Sequence, residues 1–390
     1  MISSSTPYSA AQIPDRYRSL ETSGRLRLDE ASCLVSRFAG YECGLCAESC
    51  PNQSIEITAS GPKIKGECIG CGQCVGVCPS AALQTDGFAL PSEIADRGEE
   101  IHVDCWRVPF QASAEGSLRV PCLGGLTKGW LLALFDRSGE KSIHLIDRGE
   151  CSFCPGGAGI KALMATLTEV RMLLHACGVE IEQLPMMTSK PAHGTFSPTI
   201  PTTANEVRLD RRGFFRGLMG GVARGADEIS AAGNAQVDPI ILRDPALPIE
   251  QLRVATALAS IARRHDRPVP TSVLPQLSLS ACSAHGICVK VCPTGALERY
   301  EEGDHAELRF HAAKCIACGQ CARICPDRAI RVAPSGGSTS IEVLARWQAK
   351  TCDQCGSSFF GGGSTSCAPC EKSHQLHQDV AALFGCSINP

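Results

Sequence analysis

The chain is 390 residues long and holds 25 cysteines, with 37 Lys+Arg against 40 Asp+Glu, a formal net charge of -3 and 44% hydrophobic residues. That length accommodates roughly two to four domains, and the average hydrophobicity excludes a wholly disordered or fibrous chain. The near-zero charge excludes a global nucleic-acid-binding surface, which needs a basic excess. Cysteine is the anomaly: at this density thiols become disulfides in an oxidising compartment or metal ligands in a reducing one.

In chain order, 1–30 is an N-terminal extension without the basic start, apolar core and small-residue cleavage site of a secretory signal. No stretch approaches the roughly 18 apolar residues of a membrane span, 129–135 being among the longest runs. A cytoplasmic location with reduced thiols is therefore expected. Segment 31–95 carries Cys33, Cys43, Cys46, Cys50, Cys68, Cys71, Cys74 and Cys78, and both Cys50 and Cys78 precede proline. Segment 98–187 reads as a small α/β domain. EIHVDC, LRVPC and SIHLID are predicted strands; TKGWLLALFDRSG is a predicted helix ending at Gly139. A longer helix is predicted from Ile160, Leu163, Met164, Leu167, Val170, Leu174 and Cys177 on one face, stopped by Gly178. Cys105 and Cys122 end predicted strands and Cys151 and Cys154 precede the long helix, where α/β folds place their sites.

Segment 188–240 is a Pro/Thr/Ser-rich linker. It contains Asp210-Arg211-Arg212-Gly213-Phe214-Phe215-Arg216, whose arginine pair lies mid-chain with no apolar segment after it and reads as a short basic helix rather than an export motif. Segment 241–335 repeats the first zone, with Cys282, His285, Cys288 and Cys292-Pro293 followed by Cys315, Cys318, Cys321 and Cys325-Pro326. Apolar residues follow every Cys-Pro at matching positions (SIEI, AAL, GAL, RAI). Segment 345–374 holds Cys352, Cys355, Cys367 and Cys370, and 375–390 is a tail. These sets use 23 of the 25 cysteines, leaving Cys177 and Cys386. So few leftovers favour metal over scattered disulfides.

The Cys-x2-Cys-x2-Cys-x3-Cys-Pro run, present in full at 68–79 and 315–326, wraps three thiolates around one iron–sulfur cube and sends the fourth to a neighbouring cluster. Proline suits the start of a helical turn, where its missing N–H is not needed. Zinc or disulfides are the rival, but zinc needs only four ligands, usually in two distant knuckles. In both copies the pattern resembles bacterial-type two-cluster ferredoxins, over about 33–90 and 275–333. The resemblance implies one [4Fe-4S] cluster on Cys50, Cys68, Cys71 and Cys74, and a second on Cys43, Cys46 and Cys78. The fourth position of the latter falls on Gly40, so Cys33 is the expected substitute; failing that, the cluster loses an iron or takes a water. In the second copy it implies Cys292, Cys315, Cys318 and Cys321 for one cluster and Cys282, Cys288 and Cys325 for the other. His285 stands in the remaining slot, where imidazole can ligate iron; a [3Fe-4S] cluster with His285 idle is equally compatible.

Cys105-Trp106, Val-Pro-Cys122 and Cys151-x2-Cys154 over about 100–187 resemble the delta subunit of methyl-viologen-reducing hydrogenase. That resemblance implies a [2Fe-2S] cluster and electron transfer toward a heterodisulfide reductase. In place of the family's Cys-Ser-Gly-Arg stretch the chain has Cys122-Leu123-Gly124-Gly125. The rival reading is buried core cysteines with a residual zinc or redox Cys-x2-Cys pair. Cys352-x2-Cys355 and Cys367-x2-Cys370 are spaced as a zinc ribbon, with single-iron ligation as the rival. Metal would hold a segment too small for its own core.

The expected fold class is therefore α+β multidomain: two ferredoxin-like dicluster domains, a small α/β domain between them, and a C-terminal zinc ribbon. The expected function is electron relay between redox partner proteins of a multi-subunit oxidoreductase and an acceptor. Hydrogenase, formate dehydrogenase and heterodisulfide-reductase-like complexes are all open, and catalysis by the chain itself is undecided. A cluster scaffold or a thiol/disulfide enzyme are the alternatives. No nicotinamide site is visible: 217–221 follows no strand and lacks Gly-x-Gly-x-x-Gly spacing. The acidic run Glu298, Glu301, Glu302, Asp304 and Glu307 reads as a solvated turn, or as a surface steering a basic partner.

Overall fold

The computed structural model describes residues 17–19, 26–90, 94, 98–157, 159–190 and 245–383. The paired arginines, 217–221 and Cys386 lie outside them. Among the described residues no helix is long and apolar enough to cross a membrane.

The first cysteine-rich segment is built from short pieces. After β1 (Tyr17–Ser19) and β2 (Leu26–Asp29) come the helical turns α1 (Leu34–Arg37) and α2 (Leu45–Glu48). The hairpin β3 (Ile55–Thr58) and β4 (Gly61–Ile64), the turn α3 (Gln73–Gly76) and β5 (Leu83–Thr85) follow. Strand β5 returns antiparallel beside β2, Leu83 opposite Leu28, and both side chains are buried with Leu26 and Ile55.

The middle segment is a parallel sheet of β6 (Glu100–Cys105), β7 (Leu118–Val120), β8 (Ser142–Asp147) and β9 (Met186–Ser189), in the order β7-β6-β8-β9. Parallel neighbours need crossovers. These are α4 (Lys128–Arg137), capped by the Thr127 hydroxyl accepting from the Trp130 N–H at 2.9 Å, and α5 (Gly159–Ala176). The helix stops predicted at Gly139 and Gly178 are observed, both at positive φ. On α5 the predicted face is buried except for Ile160, which is half-buried, and Met164, which is 47% exposed; Met164 sits about 100° around the helix from Leu163, beyond the edge of the stripe. Leu173 on the opposite edge is buried instead.

Helix α6 (Ile249–Arg264) comes from the stretch assigned by sequence to the second ferredoxin-like segment, yet its main apolar face (Val254, Ala257, Leu258, Ile261) lies in the core of the α/β sheet. Glu250 in its first turn accepts the Gly129 N–H at 2.6 Å, satisfying one of the free donors at the α4 N-terminus. At its other end Arg264 pairs with Asp136 (2.8 Å) and Glu140 (2.6 Å). Ala255 faces the other way, into the second ferredoxin-like core.

That second segment repeats the first. Strand β10 (Gln276–Leu279), α7 (Ile287–Val291), the hairpin β11 (Leu297–Glu302) and β12 (His305–Phe310), α8 (Gln320–Ile324) and β13 (Ile330–Ala333) follow in the same order, with β10 and β13 antiparallel. Its hairpin sheet is extended by β14 (Glu342–Thr351) and β15 (Ser358–Phe360), which deliver the terminal cysteines, and α9 (Ala368–Leu383) closes the described chain. Three acidic residues of the β11–β12 hairpin have local partners: Glu298 with His311, Glu301 with Arg299, and Glu307 with Arg309 and Arg346.

One device recurs four times. After each Cys-Pro of the two ferredoxin-like segments the third residue from the cysteine is left-handed: Gln53 (φ 51), Ala81 (φ 51), Gly295 (φ 65) and Arg328 (φ 50). Three of these carry side chains, a strain of about 1–2 kcal/mol each that the surroundings must offset. The bend turns the next N–H back onto the cysteine sulfur. Ser54 donates to Cys50 (3.3 Å), Ala82 to Cys78 (3.3 Å), Ala296 to Cys292 (3.2 Å) and Ala329 to Cys325 (3.3 Å). The fifth residue (Ile55, Leu83, Leu297 or Ile330) is a buried aliphatic that opens a strand.

Because Leu258 is fully buried against α4, Leu258→Ala is expected to cost about 2–5 kcal/mol in that core. Amide hydrogen exchange should show protection lost across 128–137 as well as 249–264. Met164→Ala should change it by less than about 0.5 kcal/mol. Unchanged exchange over 128–137 in the Leu258 variant would detach α6 from this core.

Candidate functional site

Two thiol cages form in the first ferredoxin-like segment. Cys46, on α2, has its pKa pushed up to about 12, first by burial and then by Cys78, Cys43 and Cys33 around it. Cys33 precedes α1, and a Cβ on Gly61 of the β4 turn would lie 3.7 Å from its Sγ. The chain thus brings Cys33 to the group from which Gly40 is missing a thiol. The second cage gathers Cys50, Cys68, Cys71 and Cys74. Burial raises the Cys71 thiol to about 11 and the Cys74 thiol well above its ordinary value, with the other thiols of the cage adding to both. Cys46 also raises Cys74, so the two cages adjoin.

The second segment behaves alike. Cys315 and Cys321 are both pushed up to about 12, by burial and then by thiols of the set Cys292, Cys315 and Cys318. Cys282, Cys288 and Cys325 make the remaining group: burial raises Cys288 to about 11, with Cys282 and Cys325 adding to it. His285 Nδ1 stands 3.5 Å from Asp327 Oδ2 beside this group. Such pKa values mean that each set of buried thiols resists ionising in the absence of a cation. Iron held by these thiolates would supply the compensation, with release of the protons.

In the α/β segment the strand order places a topological switch at β6, and its cysteines lie at the carboxyl ends of the strands. Cys105 ends β6, Cys122 follows β7, and Cys151 and Cys154 follow β8. The four converge: burial first, then the neighbouring thiols, raise Cys122 to about 11. Cys151 is also raised to about 11, by burial and then Asp147 ahead of the other three thiols. Cys122 accepts the Gly124 N–H (3.4 Å), and Cys154 accepts from the Gly156 N–H (3.3 Å) and Arg107 (3.2 Å).

The Gly124-Gly125 pair, which departs from the resembled pattern, has a steric reason. A Cβ on Gly124 would lie 2.5 Å from the Gly159 Cα. One on Gly125 would lie 2.5 Å from Phe88 and 3.0 Å from the Cys71 carbonyl. Gly125 lets the Cys122 loop settle onto the loop of the Cys50–Cys74 cage, and Gly124 lets it close on the start of α5. Gln73 of α3 spans the junction, donating to the Gly156 carbonyl (2.7 Å) and reaching the Cys122 Sγ (3.9 Å).

A second junction joins the two ferredoxin-like segments. The Tyr41 hydroxyl donates to the Cys318 carbonyl and Arg323 to the Gly40 carbonyl, each at 3.2 Å. Burial raises the Tyr41 pKa, with Cys318 and Cys43 adding to it, since the ring lies between one cage of each copy.

The terminal four cysteines are of another kind. Their Sγ atoms all lie within 4.8 Å of one another, with Cys355 and Cys367 at 3.8 Å. Tetrahedral thiolates about 2.3 Å from a zinc ion sit about 3.8 Å apart. The Cys367 N–H donates to Cys352 (3.2 Å), which holds that thiol down to about 6. Between this ribbon and the Cys282 loop lies an open cavity of about 390 Å³, bordered by His285, Arg299, Phe360 and Glu371.

Cys177, left over in the sequence, is buried in the α/β core. What the sequence did not reveal are the groups at the junctions: Gln73, Tyr41, Arg323 and the two glycines. None has a spacing signal, because each is defined by a partner distant in the chain.

Residues 41–83 and 274–326 each match a family described as a 4Fe-4S dicluster domain. Among curated proteins none matches the chain. The protein thus carries two ferredoxin-type 4Fe-4S dicluster domains within a mixed helix-and-strand fold.

Proposed function

We propose that the chain is an iron–sulfur relay that carries single electrons between a partner oxidoreductase and an acceptor. The observation that carries this reading is that the cysteine groups abut in one unbroken row. The α/β group touches Cys50/Cys68/Cys71/Cys74 through Gly125 and Gln73, and that cage adjoins Cys33/Cys43/Cys46/Cys78. Tyr41 leads on to Cys292/Cys315/Cys318/Cys321, and the Cys282/Cys288/Cys325 group closes the row, Cys288 and Cys325 lying in the same core cluster as Cys292, Cys315 and Cys321.

In this reading the ferredoxin-like sets hold [4Fe-4S] clusters, the α/β set a [2Fe-2S] cluster, and the ribbon zinc. The clusters supply reversible one-electron chemistry; the protein buries them, donates N–H groups to their sulfurs and fixes their order, the terms that tune potential. Trp106 (44% exposed), Phe110 (75%) and Phe153 (88%) surround the α/β end and suit a partner protein's apolar face. Hydrogenase, formate dehydrogenase and heterodisulfide-reductase-like complexes are the classes of partner. A cytoplasmic setting follows from the demand for reduced thiols. A second reading rests on Arg107 beside Cys154, a cation next to a partly exposed thiol as in thiol/disulfide chemistry.

Protein purified anaerobically should contain about 18 irons, matching acid-labile sulfide, and about one zinc. A colourless, iron-free product after reconstitution would end the relay reading. If the α/β set is a cluster, Cys151→Ser should remove its EPR signal; disulfide reductase activity lost without any change in the cluster spectrum would select the second reading. Efficient delivery of iron to an apo-acceptor would instead indicate a scaffold.

Gly125→Val should push the α/β loop away from the Cys71 loop. Spin coupling between these two clusters should fall in EPR, while Gly363→Ala, at a position with nothing within 4 Å, leaves it unchanged. Cys355→Ser should lower zinc by more than about half without changing iron, since three thiolates complete a structural site poorly.

A further inference from the structure

We infer that His285 is the fourth iron ligand of the Cys282/Cys288/Cys325 group, bound through Nε2, and that Asp327 is its positioning residue. The inference rests on the relay reading and settles which of two clusters that group would hold.

The backbone around His285 is that of a ligand loop. Ala284 (φ 62) and Gly286 (φ 70) bracket His285 just as Ala317 (φ 51) and Gly319 (φ 73) bracket Cys318, and as Gly70 (φ 65) and Gly72 (φ 76) bracket Cys71. The sulfur ahead of it accepts the same contact in both loops: the Ala284 N–H to Cys282 and the Ala317 N–H to Cys315, each at 3.4 Å. A histidine idle on the surface has no need of two left-handed residues around it, one of them an alanine.

The second observation comes from across the group. In the two ferredoxin-like segments the residue after each Cys-Pro is Asn52, Ser80, Thr294 or Asp327, so the single carboxylate among these four equivalent positions stands opposite the single imidazole. Asp327 Oδ2 accepts the Ser283 N–H (2.8 Å), which fixes it, and lies 3.5 Å from His285 Nδ1. Metal-ligating histidines commonly present the nitrogen not used for the metal to a carboxylate, which sets the tautomer and raises ligand basicity. With Nδ1 turned to Asp327, Nε2 is the nitrogen left for iron. Asp327 follows directly on Cys325-Pro326, so the carboxylate is tethered to another ligand of the same group. A neutral imidazole in place of a thiolate leaves this cluster less negative than the other three and raises its potential.

The test uses full-length, anaerobically reconstituted protein labelled with ¹⁵N-histidine. Pulsed EPR of the reduced protein should detect a histidine nitrogen coupled to one cluster, and His285→Ala should abolish that coupling with loss of about one iron per chain and appearance of a three-iron signal. His285→Cys should restore the four-iron cluster without nitrogen coupling and lower its potential. Asp327→Asn should keep the coupling and shift the potential of that cluster alone. A three-iron signal and no nitrogen coupling in the unsubstituted protein, alongside normal signals from the other cubes, would overturn the inference and leave the relay reading intact. Absence of cluster signals altogether would overturn the relay reading.

Discussion

Sulfur is part of the hydrophobic core here, and that constrains everything else. In the first ferredoxin-like segment the buried cluster consists of Leu26, Leu28, Ile55, Ala82 and Leu83 together with Cys46 and Cys74. Five aliphatic side chains cannot offset the ordering of some sixty residues. Burying thiols side by side makes the balance worse, because each raises the pKa of the next. Metal reverses the sign: it turns mutual repulsion into shared ligation and closes the loops between sulfurs. The short strands and four-residue helices are what remains when the centre of a domain is inorganic. The α/β segment, with Leu131, Leu134, Phe135, Ile143, Leu145 and Leu163 fully or almost fully buried, has an apolar core of the ordinary kind.

Much of this was legible in the sequence because the informative residues are local. The Cys-x2-Cys-x2-Cys-x3-Cys-Pro run carries its loop geometry within a dozen residues, and three strands and both helices of the α/β segment follow from periodicity and glycine stops, whereas β9 reaches into the stretch read as linker. Met164 was misjudged because period alone does not give the width of a buried stripe. The attachment of α6 was not legible, since an amphipathic helix advertises that it packs but not on what. Tyr41, Arg323 and Gln73 are ordinary residues until a sequence-distant loop arrives. The same holds for Gly124 and Gly125, which looked like a departure from a ligand pattern and instead let two loops meet backbone to backbone.

The four Cys-Pro turns show how a repeat can diverge without losing its frame. Left-handed bend, returned N–H and buried aliphatic are kept in all four, and with them the position of the sulfur. The residue after proline and the slot of the second cysteine are among the positions that vary. Both have changed in the last of the four, where imidazole and carboxylate face one another. In the acidic hairpin near that site Glu301 and Glu307 are paired with Arg299, Arg309 and Arg346, which reduces the field it carries toward a partner.

Helix α6 has a practical corollary. It follows the linker in sequence yet walls the α/β core, while Ala255 on its reverse touches the neighbouring core. Cutting the gene ahead of residue 249 would strip one flank from α4, removing the partners of Gly129 and Asp136 and the apolar face of Val254, Leu258 and Ile261. Cutting after His265 would keep that wall but open the second core instead. The polypeptide therefore has no clean seam at which its redox modules come apart, and the helix acts as a mortise that fixes their mutual alignment.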